Sequence, residues 1–223
     1  MEAAPNLVHI RAGSVELEGE LLVPKGCAGV VLFAHGSGSS RHSPRNCFVA
    51  RWLEDGRLAT VLMDLMTPAE EQIDSRTGEL RFNIEFLAER VIAAVDWARK
   101  QPELRGLNIG LFGASTGAAA ALVAAAQRPE EVGAVVSRGG RPDLAGPALP
   151  RVRAATLLIV GGHDIPVLEL NREALQELRA EKRLEIVPDA THLFEEPGAL
   201  AEVSRLAREW FQKRLGRHKA GAA

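Results

Sequence analysis

Gly113-Ala114-Ser115-Thr116-Gly117 sets a serine between two glycines, where an apolar run (Leu107, Ile109, Leu111, Phe112) gives way to an alanine-rich stretch. A serine hydroxyl is a poor nucleophile near neutral pH. It attacks a carbonyl when an adjacent base takes its proton and an acid orients that base. A sharp strand-to-helix bend would lift the hydroxyl above a sheet, with flanking glycines avoiding clashes. The same five residues would also suit a plain turn whose serine only caps the helix. A base and an acid further along the chain must decide between the two.

In a parallel sheet, reactive groups gather at the carboxyl ends of the strands. The stretch TLLIVGGHD (156–164) ends a strand with Asp164, and LEIVPDATHLF (184–194) delivers His192 in the loop after the last strand. The order Ser115, Asp164, His192 is the one expected of a nucleophile bend in such a sheet. Asp143 and Asp189 are rival acids, but the turn after Gly161-Gly162 suits a buried acid best. His163 is adjacent and expected to face solvent or pack. His9 and His218 lie in terminal regions without chemical company. No HExxH motif, Cys/His cluster or carboxylate pair with ligand spacing occurs, so neither a metal nor a cofactor is expected.

Acyl transfer puts negative charge on the carbonyl oxygen, and fixed backbone N–H groups stabilise it. The amide of Thr116, at a helix N-terminus, is one expected donor. The second is expected from AHGSGSS (34–40), with Ser37 the first choice and Gly38 the next; an ordinary Gly/Ser turn is the plainer alternative. Arg41, His42 and Arg45 follow this loop, and Arg138 and Arg141 flank Gly139-Gly140. Gly38, Arg41, Arg138 and Arg141 are therefore candidate substrate contacts, since guanidinium groups can hold a carboxylate or phosphate. Alternatively these arginines pair with Glu70, Glu71 or Asp74, a role favoured for Arg45.

These residues need elements to position them. Two short strands, Leu7–Arg11 and Val15–Val23, surround a turn, and the second alternates apolar residues with Glu16, Glu18 and Glu20. Apolar runs at 29–36, 59–66, 107–113, 133–140, 155–162 and 184–190 read as strands, the continuous ones covered on both faces. Helical spacing marks 47–55, 82–100, 116–127, 167–179 and 198–215. This alternation predicts a doubly wound α/β sheet of about eight mostly parallel strands, an antiparallel N-terminal hairpin, and helices on both faces. Residues 67–81 read as a long polar connection, functional or mobile, and 214–223 as a fraying tail. The short link between the strands at 134–138 and 156–161 leaves no place for a large cap. The pocket is thus expected to be open, suiting small or surface-presented acyl groups.

At 223 residues and 46% hydrophobic content the chain suits one soluble domain spanning 1–223. A net charge of −2 gives no reason to expect nucleic acid or an anionic membrane as a partner. The apolar run at 118–126 is too short to span a bilayer. The start has no secretory pattern, and Cys27 and Cys47 lack CxxC spacing, so a cytoplasmic location is expected. Oligomeric state is not legible.

With GxSxG, Asp164 and His192 in order, together with HGSGSSRHSPRN and SRGGRPDLA, the chain resembles the dienelactone-hydrolase-like group of α/β-hydrolases over essentially its whole length. The resemblance implies the α/β-hydrolase fold. It also implies Ser115 as nucleophile, His192 as general base and then acid, and Asp164 as the carboxylate fixing the imidazole tautomer. Dienelactone hydrolases carry cysteine at the nucleophile position. Serine here favours ordinary ester chemistry through an acyl-enzyme on a small-molecule acyl substrate, with thioesters and lactones as relatives. Two other readings are a non-catalytic scaffold using residues 67–81 and a peptidase or amidase on the same triad.

Overall fold

The structure is a computed structural model that describes residues 4–216. Eight strands form one sheet: β1 (Asn6–Ala12), β2 (Val15–Leu22), β3 (Gly29–Ala34), β4 (Ala59–Met63), β5 (Asn108–Ala114), β6 (Val132–Arg138), β7 (Ala155–Gly161) and β8 (Lys182–Val187). Their spatial order is β1-β2-β4-β3-β5-β6-β7-β8. β1 and β2 form an antiparallel hairpin, and β2 joins β4 antiparallel. Every other pairing is parallel. This is the α/β-hydrolase fold, with the expected N-terminal hairpin at one edge and, among the described residues, no cap domain. A 3-10 segment, Pro142–Arg151, fills the link between β6 and β7.

Six helices cover the sheet: α1 (Pro44–Asp55), α2 (Pro68–Thr77), α3 (Ile84–Ala98), α4 (Thr116–Gln127), α5 (Ile165–Glu177) and α6 (Ala199–Leu215). Alternate residues of the central strands face two separate cores. Ile109 and Leu111 of β5 join Val91 and Val95 of α3 and the alanines of α4 on one side. Phe112 joins Phe33, Val49 and Leu53 of α1, and Phe211 of α6, on the other. The alanine-rich face of α4 packs where larger side chains would not fit; Ala118 to Leu122 are wholly buried. Burying both faces of β3, β4 and β5 is why these strands read as unbroken apolar runs.

Two expectations need correction. Residues 67–81 are not an unstructured connection, because α2 occupies most of the segment. Thr67 caps it with a reciprocal capping box to Glu70, Pro68 stands in its first turn, and Gly78 closes it with φ 69°. The second concerns the supposed tail: Arg214 and Leu215 complete α6. Leu215 is buried, and the Arg214 guanidinium lies 3.6 Å from the ring centre of Trp210. The remainder of that stretch, His218 included, lies outside the described residues. Among the described residues no helix is long and apolar enough to cross a membrane.

Candidate active site

The bend between β5 and α4 puts Ser115 at φ 51° and ψ −122°, a conformation that costs a non-glycine residue about 1–3 kcal/mol. The surroundings hold it there. The Ser115 N–H donates to the carbonyl of Arg138 on the next strand at 3.4 Å, and the Ser115 carbonyl accepts from Ala118 and Arg141. Gly117 passes so close to the end of β3 that a Cβ would lie 2.3 Å from the Ala34 carbonyl oxygen. Only glycine fits. The motif is therefore a packed bend, and Ser115 lines a cavity of about 250 Å³.

That cavity is lined by Gly36, Ser37, Ser43, Arg45, Asn46, Ser115, Arg138, Gly139 and His192, among others. The wider cleft beside Pro147 and Glu173 is lined by neither serine nor histidine. His192 arrives on the loop after β8, which Phe194 anchors in the core and Glu196 ties down by accepting from the Thr191 N–H and hydroxyl. The Thr191 hydroxyl is the main reason the Glu196 carboxyl stays below its usual range. His192 Nδ1 lies 2.6 Å from Asp164 Oδ2, at the carboxyl end of β7. An imidazole held through Nδ1 leaves Nε2 for the cavity. The rival acids are placed elsewhere: Asp143 receives two nitrogens of Arg141, and the exposed Asp189 lies 3.7 Å from His163.

The loop after β3 crosses directly over the serine. A Cβ on Gly36 would stand 3.1 Å from that of Ser115. Buried His35 orients this loop. Its Nε2 accepts from the Leu65 N–H at 3.1 Å, so Nδ1 carries the proton and donates to the Gly36 carbonyl at 3.0 Å. In a trans peptide the carbonyl and the following N–H point oppositely, so the Ser37 N–H is turned away from His35. Burial depresses the pKa of His35 against the opposing pull of the Gly36 carbonyl and Asp64, which keeps the ring neutral. The Ser37 hydroxyl donates to the Arg81 carbonyl at 3.1 Å and lies 2.9 Å from the Thr116 hydroxyl, joining this loop to α4.

Arg81 is the member of the site's support that the sequence reading passed over, and Asp74, named there as a possible partner for arginines such as Arg45, is what holds it. The Asp74 carboxylate, 1% exposed, accepts from the Leu80 and Arg81 N–H groups and from Arg81 Nε at 2.6 Å. Burial opposes its charge, and the Arg81 amide and guanidinium outweigh that, holding the carboxyl below its usual range. The signal was present as the Thr67–Glu70 capping spacing, which announces the start of the helix that carries Asp74.

Of the four candidate substrate contacts, only Arg138 lines the cavity of Ser115 and His192. Arg41 donates to Asp64 and Glu18, and Arg141 to Asp143. Gly38 lines a neighbouring cleft with Glu71 and Arg81. Arg45 does not pair with Glu70, Glu71 or Asp74; its nearest acid is Glu195 at 3.4 Å. Among the described residues no cluster of three or more His, Cys, Asp or Glu is placed to hold a metal ion.

A model of the dienelactone hydrolase family matches residues 57–215. The crystal structure of a dienelactone hydrolase from Anabaena variabilis is 57% identical, with a TM-score of 0.95 over 96% of this chain and 100% of that one. Est1E from Butyrivibrio proteoclasticus, solved with ferulic acid bound, shares the fold at 16% identity and a TM-score of 0.78, over 93% of this chain and 98% of that one. A Mycobacterium tuberculosis protein provisionally named a phosphoribosyl transferase is 54% identical over 204 residues, 92% of this chain and 45% of that protein. The chain thus spans less than half the length of the curated relatives it matches.

Proposed function

The chain belongs to the dienelactone hydrolase family, and from that premise we propose that it hydrolyses small carboxylic esters through an acyl-enzyme on Ser115. The observation that carries this reading is the 2.6 Å contact between Asp164 and His192, with the imidazole lining the same cavity as Ser115. His192 takes the proton of Ser115 Oγ as the oxygen bonds to the substrate carbonyl carbon. The resulting oxyanion accepts from the Ser37 and Thr116 amides. Collapse breaks the bond to the alkoxide, which leaves as alcohol with the proton from His192. Water, deprotonated by the same imidazole, then attacks the acyl carbon; the bond to Ser115 Oγ breaks, the imidazolium returns the proton to that oxygen, and the acid leaves. Asp164 accepts from Nδ1–H throughout.

The cavity's volume of about 250 Å³ favours short acyl groups. Thioesters and lactones pass through the same intermediate. An amidase would need His192 to protonate an amine, so amides belong in the same substrate panel. The transferase name is that of a protein in which the matched residues make up 45%, and the serine–histidine site favours hydrolysis over transfer of a phosphoribosyl group. A short 4-nitrophenyl ester tests the reading: turnover by the native chain, and a loss of several orders of magnitude in Ser115→Ala, support it. Equal turnover in the two proteins refutes it.

A further inference from the structure

Three asparagine amides of this protein serve the fold. Asn83 caps α3, Asn108 donates to the Leu215 carbonyl, and Asn171 donates to the carbonyls of Gly140 and Val167. Asn46 is different. It is 2% exposed, yet its Oδ1 is buried without a donor and its Nδ2 meets no acceptor among the described residues. A fold rarely leaves a buried amide unpaired, because nothing then offsets its desolvation. Helix capping does not account for it: Ser43 Oγ accepts from the backbone N–H of Asn46 at 3.4 Å, which leaves the side chain unused.

Its place does account for it. Asn46 lines the cavity of Ser115 and His192; Arg45 and Arg138 line it too, and neither donates to the amide oxygen. Ser43, 7% exposed, lines the same cavity, and its own O–H has no acceptor among the described residues. The half-buried Ser39 hydroxyl is likewise uncommitted. Nearby hydroxyls are spent: Ser37 engages Arg81 and Thr116, and Ser40 accepts from the His42 N–H. Ser39 and Ser43 also line a second cleft of about 470 Å³, so they form the wall that the two spaces share. Uncharged donors and acceptors therefore stand in surplus beside the nucleophile. An amide can turn either end to a ligand, and the uncharged group that both donates and accepts in return is a hydroxyl.

We infer that Asn46, with Ser43 and Ser39, is a subsite for a hydroxyl group that the ester carries on its acyl or its alcohol half. This deepens the ester-hydrolase reading and rests on it. The substrate is then a small hydroxylated ester, whose hydroxyl pairs with the Asn46 amide while Ser115 meets the carbonyl. The adjoining cleft has room for the remainder.

Two matched pairs of uncharged esters test the inference. Methyl propionate against methyl 3-hydroxypropionate probes the acyl half, and ethyl acetate against 2-hydroxyethyl acetate the alcohol half. Each ratio of kcat/KM is divided by the ratio of the two esters' rates with hydroxide. In the native chain the hydroxylated member of at least one pair should be favoured about tenfold or more, and that pair identifies the half. Asn46→Leu keeps the branched outline without the hydrogen-bonding atoms, and should bring the ratio close to one. Its melting temperature should hold or rise, because the amide has no partner in the fold to lose. Ser39→Ala should lower the ratio to a smaller extent, and decides the matter if Asn46→Leu does not fold. Ratios near one for both pairs in the native chain overturn the inference, as does a preference that survives these substitutions. A melting temperature lowered by Asn46→Leu also overturns it, by marking the amide as structural. Calorimetric titration of Ser115→Ala with the same four esters separates the two readings. Tighter binding of a hydroxylated ester, where the native chain cleaves none, would keep the subsite and end the hydrolase reading; cleavage of all four with indifference to the hydroxyl would do the reverse.

Discussion

His192 Nδ1 and Asp164 Oδ2 stand 2.6 Å apart although β8 and α5 separate them in the chain. The contact fixes which imidazole nitrogen is free to serve the cavity. Asp164→Asn keeps the shape but offers the ring an N–H or a carbonyl in place of a pure acceptor. Its kcat on a short ester should fall about 10⁴-fold with little change in melting temperature. A loss below about tenfold would remove Asp164 from the mechanism.

The His35–Gly36 contact predicts a second effect. Replacing His35 with alanine frees the Gly36 carbonyl and leaves the Leu65 N–H without its acceptor. Loosening one oxyanion donor should lower kcat by about tenfold or more, short of the 10²–10³ seen on deleting one, with KM nearly unchanged. A change in KM alone would show that the ring shapes the pocket and leaves the donor untouched.

His35 also gives the fold a pH signature. Burial lowers its pKa in the folded state, so the unfolded chain binds the proton more tightly. The stability this neutral ring contributes is complete above the unfolded value of about 6.5 and is lost as pH falls below it towards the folded value. Thermal melts from pH 7.5 to 5 should show a decline beginning near 6.5. His35→Asn should lessen that decline; an unchanged slope contradicts the assignment.

Asp74 acts in a more acidic range. Its folded pKa is depressed, so its contribution is present above the unfolded value of about 3.9 and disappears as pH falls through the lower folded one. At neutral pH, Asp74→Ala should cost about 1–3 kcal/mol, since the Leu80 and Arg81 amides lose their acceptor. Because the Arg81 carbonyl holds the Ser37 hydroxyl, kcat should also drop. Chemical denaturation and steady-state kinetics on one preparation read both, and a stable but equally active variant would break the proposed link.

At Gly117 an added methyl group would meet the Ala34 and His35 carbonyls at 2.3 and 2.4 Å. Gly117→Ala should therefore lower stability by about 1–3 kcal/mol and cut activity with it. A variant of native stability and turnover would mean that the bend has slack the structure does not show.

The sequence made the sheet and the order of the reacting groups legible because both leave strong local marks. Runs such as Val30–Ala34 and Leu157–Gly161 are apolar throughout, Ser115 and Asp164 each follow such a run, and His192 follows the shorter apolar end of β8. Helix α2 was hidden because Asp74 is its one buried residue, so it lacks the apolar period that marks α3. Partners of the arginines were hidden for another reason. Arg41 meets Glu18 and Asp64, and Arg45 lies 150 residues from Glu195, contacts that strand order and loop paths decide.

The most direct test of the central claim is covalent. The native chain is treated with a fluorophosphonate, digested, and the modified peptide is located by mass spectrometry. One adduct, on Ser115 within the peptide spanning Gly113 to Gly117, is expected, together with its loss when His192 is changed to alanine. A protein that remains unmodified, or one labelled at another serine with Ser115 intact, would contradict the account.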